Sequence, residues 1–143
     1  MAHLVTLFFV IQIAGGAVLA AGWWRHGRRG AALVITHVTT NLIALGLWVT
    51  HAATGEPLWA WNSFFVLTVG TAFGDVMLVH RARRLNGVTS NSGTDYGRAV
   101  TAVFRGRMPP LVIFHALFSP VVYFFCLGVT IGATVAAGGS PDS

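Results

Sequence analysis

Lysine is absent from this chain, cysteine occurs once, and acidic residues number four. Each shortage excludes something. A single cysteine, Cys126, permits neither an internal disulfide framework nor a cysteine-built zinc site, and its place in an apolar run predicts simple packing. Glu56, Asp75, Asp95 and Asp142 are too scattered to supply a carboxylate pair for hydrolysis. No phosphate-binding glycine loop, dinucleotide fingerprint, nucleophile elbow or zinc-protease helix occurs. Charged residues make up 9% of the chain, against about 25% in a soluble domain. The net charge of +5 would point to nucleic acid in a soluble protein, but no basic helix or aromatic platform stands outside the apolar runs.

What is present is 55% apolar residues, gathered into four long runs. They predict an all-α membrane protein: a four-transmembrane-helix up-down bundle with spans at about residues 4–24, 31–53, 62–80 and 110–136. The nine basic residues are all arginines. Arg25, Arg28 and Arg29 follow the first run, and Arg81, Arg83, Arg84, Arg98, Arg105 and Arg107 separate the third from the fourth. The gap between runs two and three has none. By the positive-inside rule both arginine loops are cytoplasmic, so the N- and C-termini lie outside. This is the pattern expected of a multi-pass protein of a bacterial plasma membrane. The first run has no basic residue before it, so it reads as a retained span rather than a signal peptide. Residues 1–137 form a single domain, and the polar residues 138–143 form a disordered tail.

The first run is rich in small residues, among them Gly15 and Gly16, which let helix backbones approach closely. Gln12 is its one mid-span polar group, expected to act as a hydrogen-bond partner. The second run carries Thr36, His37, Thr40 and Asn41, then Trp48 and His51. Thr54 to Pro57 reads as an external turn, with Trp59 and Trp61 at the outer interface. Gly70 and Gly74 have the spacing of a packing pair, and Asp75 follows. In the long loop, Asn86 to Gly93 reads as mobile. Thr94 and Asp95 then start a short interfacial helix with Tyr96, Val100, Val103 and Phe104 on one face. Pro109 and Pro110 open the fourth span, and Pro120 is expected to kink it. His37–xxx–Asn41 is echoed by His115–xxx–Ser119, a trace of a possible hairpin duplication.

Depth gives the chemistry. At 1.5 Å per residue, His37 lies roughly 12 Å beyond Arg29, His115 roughly 12 Å beyond Arg107, and Asp75 roughly 9 Å before Arg81. All three fall in one layer, with Asn41 and Ser119 about one turn deeper. Two imidazoles at equal depth on facing helices are the donor set of a bis-histidine haem b. In this reading His37 and His115 are the ligands. Asn41 and Ser119 orient them, Arg105 and Arg107 meet the propionates, and the small residues of the first span leave room for a flat macrocycle. The plan resembles that of the four-helix membrane cytochromes b, such as the anchor subunits of succinate dehydrogenases, in architecture alone. It implies electron transfer, with quinone as one partner, or haem-linked sensing.

Other readings stand beside this one. His37, His115 and Asp75 are also a two-histidine, one-carboxylate set for a single transition metal. Asp75 could carry protons or solute in a small oligomeric transporter. Asp75 paired with an arginine or histidine, and hydrogen bonds from His37 and His115, would serve a non-enzymatic accessory or assembly subunit without cofactor. The partners expected are the lipid bilayer and a homo-oligomer or larger membrane complex, with no nucleic acid. His51 and His3 are expected near the water interface, not as a second haem pair.

Overall fold

The computed structural model describes residues 1–26, 30–87 and 94–139. Five helices account for nearly all of them: α1 (Ala2–Arg25), α2 (Ala31–Thr54), α3 (Pro57–Asn86), α4 (Asp95–Phe104) and α5 (Pro110–Gly138). Among the described residues α1, α2, α3 and α5 are long and apolar enough to cross a membrane. Of the region expected to be mobile, 86–93, residues 88–93 lie outside the described residues, as do 140–143 of the expected tail, whereas Asn86 is the last residue of α3. Gly138 itself closes α5 as a helical residue.

The helix ends follow local chemistry. Pro57 begins α3 at its first position, where a fixed φ and a missing N–H cost nothing. The helix therefore starts five residues before the expected span. It runs on to Asn86, with Arg83 and Arg84 against the negative end of its dipole, and stops at Gly87. Its 30 residues reach roughly 45 Å, about a bilayer with its headgroups. Between α2 and α3, Gly55 at φ 77 takes the left-handed conformation a residue with a side chain would resist, and its N–H closes on the His51 carbonyl at 2.8 Å. Pro120 lies inside α5 without ending it.

The helices pack in a ring: α1 adjoins α2 and α5, and α3 adjoins α2 and α5. Backbone contact is absent across the diagonals, α1 to α3 and α2 to α5, among the described residues. Two apolar clusters fill the interior. One holds Val5, Phe9, Ala44, Trp48, Phe64, Val122 and Cys126. The other holds Ala82, Ala99, Ala102, Val103, Met108 and Val112, at the arginine-rich end. Outward faces are apolar as well: Val18, Ile35, Phe65, Phe124 and Val135 are all exposed, as lipid-facing positions require.

α4 is not a spanning helix. It docks on α3 and α5 through Ala99, Ala102 and Val103, whose small side chains admit close contact. Buried Asp95 fixes its start, accepting from Arg83 Nε and Nη2, each at 2.8 Å. This rotates the expected face. Val103 packs inward, whereas Tyr96 and Phe104 are exposed.

His51 stands beside the turn that follows α2 and is not exposed there. It is buried, packs on Trp48, and its Nδ1 donates to the Glu56 carbonyl at 3.0 Å. The turn after α2 is thereby pinned from within. Trp48 is fully buried too, and its indole donates to the Ala2 carbonyl at 3.1 Å. Cys126 packs in the core as a free thiol.

Candidate functional site

The polar layer lies between the two apolar clusters, and its centre is a pair of imidazoles. His37 on α2 and His115 on α5 meet across a diagonal of the ring, with centroids 6.1 Å apart and planes at 76°. Because α2 and α5 share no backbone contact among the described residues, it is side chains such as these that bridge the gap.

Each ring rests against glycine. A Cβ on Gly74 would stand 2.9 Å from His37 Cε1, and one on Gly16 would stand 3.1 Å from His115 Cε1. At Gly70 a Cβ would come 2.6 Å from the Asn41 amide nitrogen and 2.8 Å from Thr40 Oγ1. The small residues of α1 and α3 are thus the seats of the histidine layer. In particular, the space in front of Gly15 and Gly16 is taken by Phe114 and His115, not left open as room for a macrocycle.

Hydrogen bonds set the tautomer of His37. Its Nδ1 lies 2.8 Å from the Gly70 carbonyl, which can only accept, so Nδ1 carries the proton and Nε2 the lone pair. Asn41 donates to the His37 carbonyl at 2.7 Å, with its amide nitrogen 3.4 Å from Nδ1. Thr40 bonds backbone, the carbonyls of Thr36 and His37. The closest partner of the His37 ring is therefore a main-chain carbonyl of α3, with the amide of Asn41, expected from the sequence, at 3.4 Å. Ser119 makes no hydrogen bond to either imidazole among the described residues.

His115 is held differently. Gln12 on α1 donates to its backbone carbonyl at 2.9 Å. Its Nδ1 is buried with no hydrogen-bond partner among the described residues, and so is the Gln12 Oε1. Unpaired buried polar atoms are rare and costly, and here two fall on touching residues. The sequence showed Gln12 as a polar residue inside a span, but not that it would reach His115.

Asp75 does not complete a metal cage. Among the described residues no group of three histidine, cysteine, aspartate or glutamate side chains is placed to hold a metal ion. Asp75 interacts electrostatically with His37 and with Tyr96 of α4. Neither ion pair among the described residues involves it. Of the arginine or histidine expected beside Asp75, it is a histidine, His37, that interacts with it, together with a phenol. Arg105 and Arg107 line a separate cavity beside α4, whose walls contain neither histidine.

Against known protein families, curated proteins and solved structures, the chain finds no match.

Proposed function

We propose that this chain is a small integral membrane protein that binds one haem b through His37 and His115 and serves electron transfer or haem-linked sensing. The observation that carries the reading is the approach of the two imidazoles across the diagonal. Their ring centres stand 6.1 Å apart, so these two imidazoles would be the groups that hold the iron, while the macrocycle would need space other than that beside Gly15 and Gly16. Ligating histidines commonly donate their other N–H to a carbonyl, as His37 does to Gly70. The unpartnered nitrogen of His115 and the unpartnered oxygen of Gln12 are a matching donor and acceptor for the second ligand.

When bound, the haem supplies one-electron redox chemistry. The chain's own residues hold and orient the imidazoles, and the apolar clusters on either side exclude water. The rest of the proposal follows the arginine distribution: an up-down bundle in a bacterial plasma membrane, arginine loops cytoplasmic, termini outside. The exposed apolar faces suit lipid, a second copy or a larger complex.

A cofactor-free accessory role is the second reading. It is favoured by the interhelical bonds His37 to Gly70, Gln12 to His115 and Ser63 to Ala44, which brace a bundle without any ligand. An absorption spectrum of the detergent-purified protein, oxidised and then dithionite-reduced, separates the two. A Soret band with sharp reduced α and β bands, lost in both His37→Ala and His115→Ala, supports haem. A colourless protein from a haem-replete host overturns it. The bracing role then predicts only a loss of roughly 1 kcal/mol in His37→Ala.

A further inference from the structure

We propose that the cavity at the arginine-rich end of the molecule, walled by Arg98, Arg105 and Arg107, binds the phosphate of an anionic lipid headgroup. The proposal is independent of the histidine reading.

The cavity has a volume of about 520 Å³ and lies between the end of α3, at Asn86, the exposed side of α4, at Thr101, and the segment leading to α5. No acidic residue is among the described residues of its wall. Arg98 reaches Asp95 at 3.4 Å, but that carboxylate is already held by Arg83 at 2.8 Å. No carboxylate pairs with Arg105 or Arg107 among the described residues. Three guanidinium groups thus border one space with less than one negative charge to share. Guanidinium forks match phosphate oxygens two at a time, which lysine cannot do, and this chain uses arginine alone.

The backbone presents two of the three groups. α4 ends in a paired turn: Arg107 N–H donates to the Ala102 carbonyl at 2.9 Å and Gly106 N–H to the Val103 carbonyl at 3.0 Å. Gly106 sits at φ 65, the left-handed conformation this turn demands. Arg105 and Arg107 therefore flank one fixed glycine at the cavity mouth.

Lipid rather than free phosphate is indicated by the surroundings. Phe104, 74% exposed, and Tyr96, 51% exposed, project from the same short helix. The membrane-length helix α5 starts at Pro110, three residues after Arg107. Basic pockets at such a boundary recognise phosphate headgroups, with aromatic residues at headgroup depth.

The test is native mass spectrometry of the full chain released from nanodiscs of equal phosphatidylglycerol and phosphatidylcholine. The expected result is selective retention of phosphatidylglycerol. R105Q/R107Q should lower it by roughly 30-fold, whereas R25Q, outside the cavity, should not. Thermal stability in detergent with added inorganic phosphate or phosphatidylglycerol distinguishes the sources. Stabilisation by the lipid alone supports the proposal. Equal stabilisation by inorganic phosphate, lost in R105Q/R107Q, overturns the lipid assignment. If R105Q/R107Q does not fold, the wild-type comparison decides, and equal retention of the two lipids overturns the proposal.

Discussion

Tyr96 of the short surface helix α4 interacts electrostatically with Asp75, the one acidic residue within the four long helices. Through Asp75 the docking of α4 is electrostatically linked to His37. The negative charge of Asp75 raises the phenol above its ordinary value of 10.0, with burial acting in the same direction. A raised value means that folding favours the protonated phenol. The contact therefore contributes fully below the ordinary phenol range and is lost as pH rises through the raised value. Ultraviolet difference titration of Tyr123→Phe, which leaves Tyr96 as the only tyrosine, should show a midpoint above that of free tyrosine. Adding Asp75→Asn should bring it down, and an unmoved midpoint would disprove the contact.

The glycine seats should not accept a methyl group. Gly70→Ala meets Asn41 and Thr40 at 2.6 and 2.8 Å, and Gly74→Ala meets His37 at 2.9 Å. Each should destabilise the α2–α3 pair by roughly 1–3 kcal/mol. Gly46→Ala, with nothing within 4 Å, should be neutral or slightly stabilising. Thermal denaturation in one detergent would rank the three, and equal losses would refute the close approach.

α4 should come away when its ion pair is cut. Asp95→Asn weakens the two contacts to Arg83 at 2.8 Å at a cost of about 2 kcal/mol, which corresponds to roughly 30-fold faster opening. Hydrogen exchange should accelerate across Asp95–Phe104 while α1 and α2 remain protected. Uniform acceleration across all helices would mean that α4 is not a separate docking unit.

His51→Ala should leave any chromophore untouched. Its imidazole pins the Glu56 carbonyl at 3.0 Å and packs on Trp48, so the substitution should cost about 1–2 kcal/mol with an unchanged spectrum. A reduced band intensity per chain would instead assign His51 a ligand role.

The spans and the polar layer could be read from the chain because both depend on one-dimensional quantities. Apolar length determined the four helices, and residue rise determined that His37 and His115 share a depth. The finer contacts depend on helix rotation and on main-chain atoms of distant segments. The Gly70 carbonyl that orients His37 carries no side-chain signal at all; only the Gly70/Gly74 spacing hinted that another helix comes close. His51 looked interfacial by position, yet the fold turns it inward beneath the loop. Tyr96 is exposed as an interfacial residue would be, but its interaction with Asp75 carried no sequence signal because it joins two helices across a loop.

By itself, then, the sequence determined that four helices form, where arginine collects, and which residues stand level with one another. Those outcomes follow from hydropathy and from a fixed rise per residue. The tertiary structure alone decided that two of the level histidines meet, that Asp75 turns to Tyr96, and that Arg98, Arg105 and Arg107 border one cavity. Each of these depends on how helices rotate and dock, and glycine seats, a buried ion pair and main-chain hydrogen bonds set that geometry together.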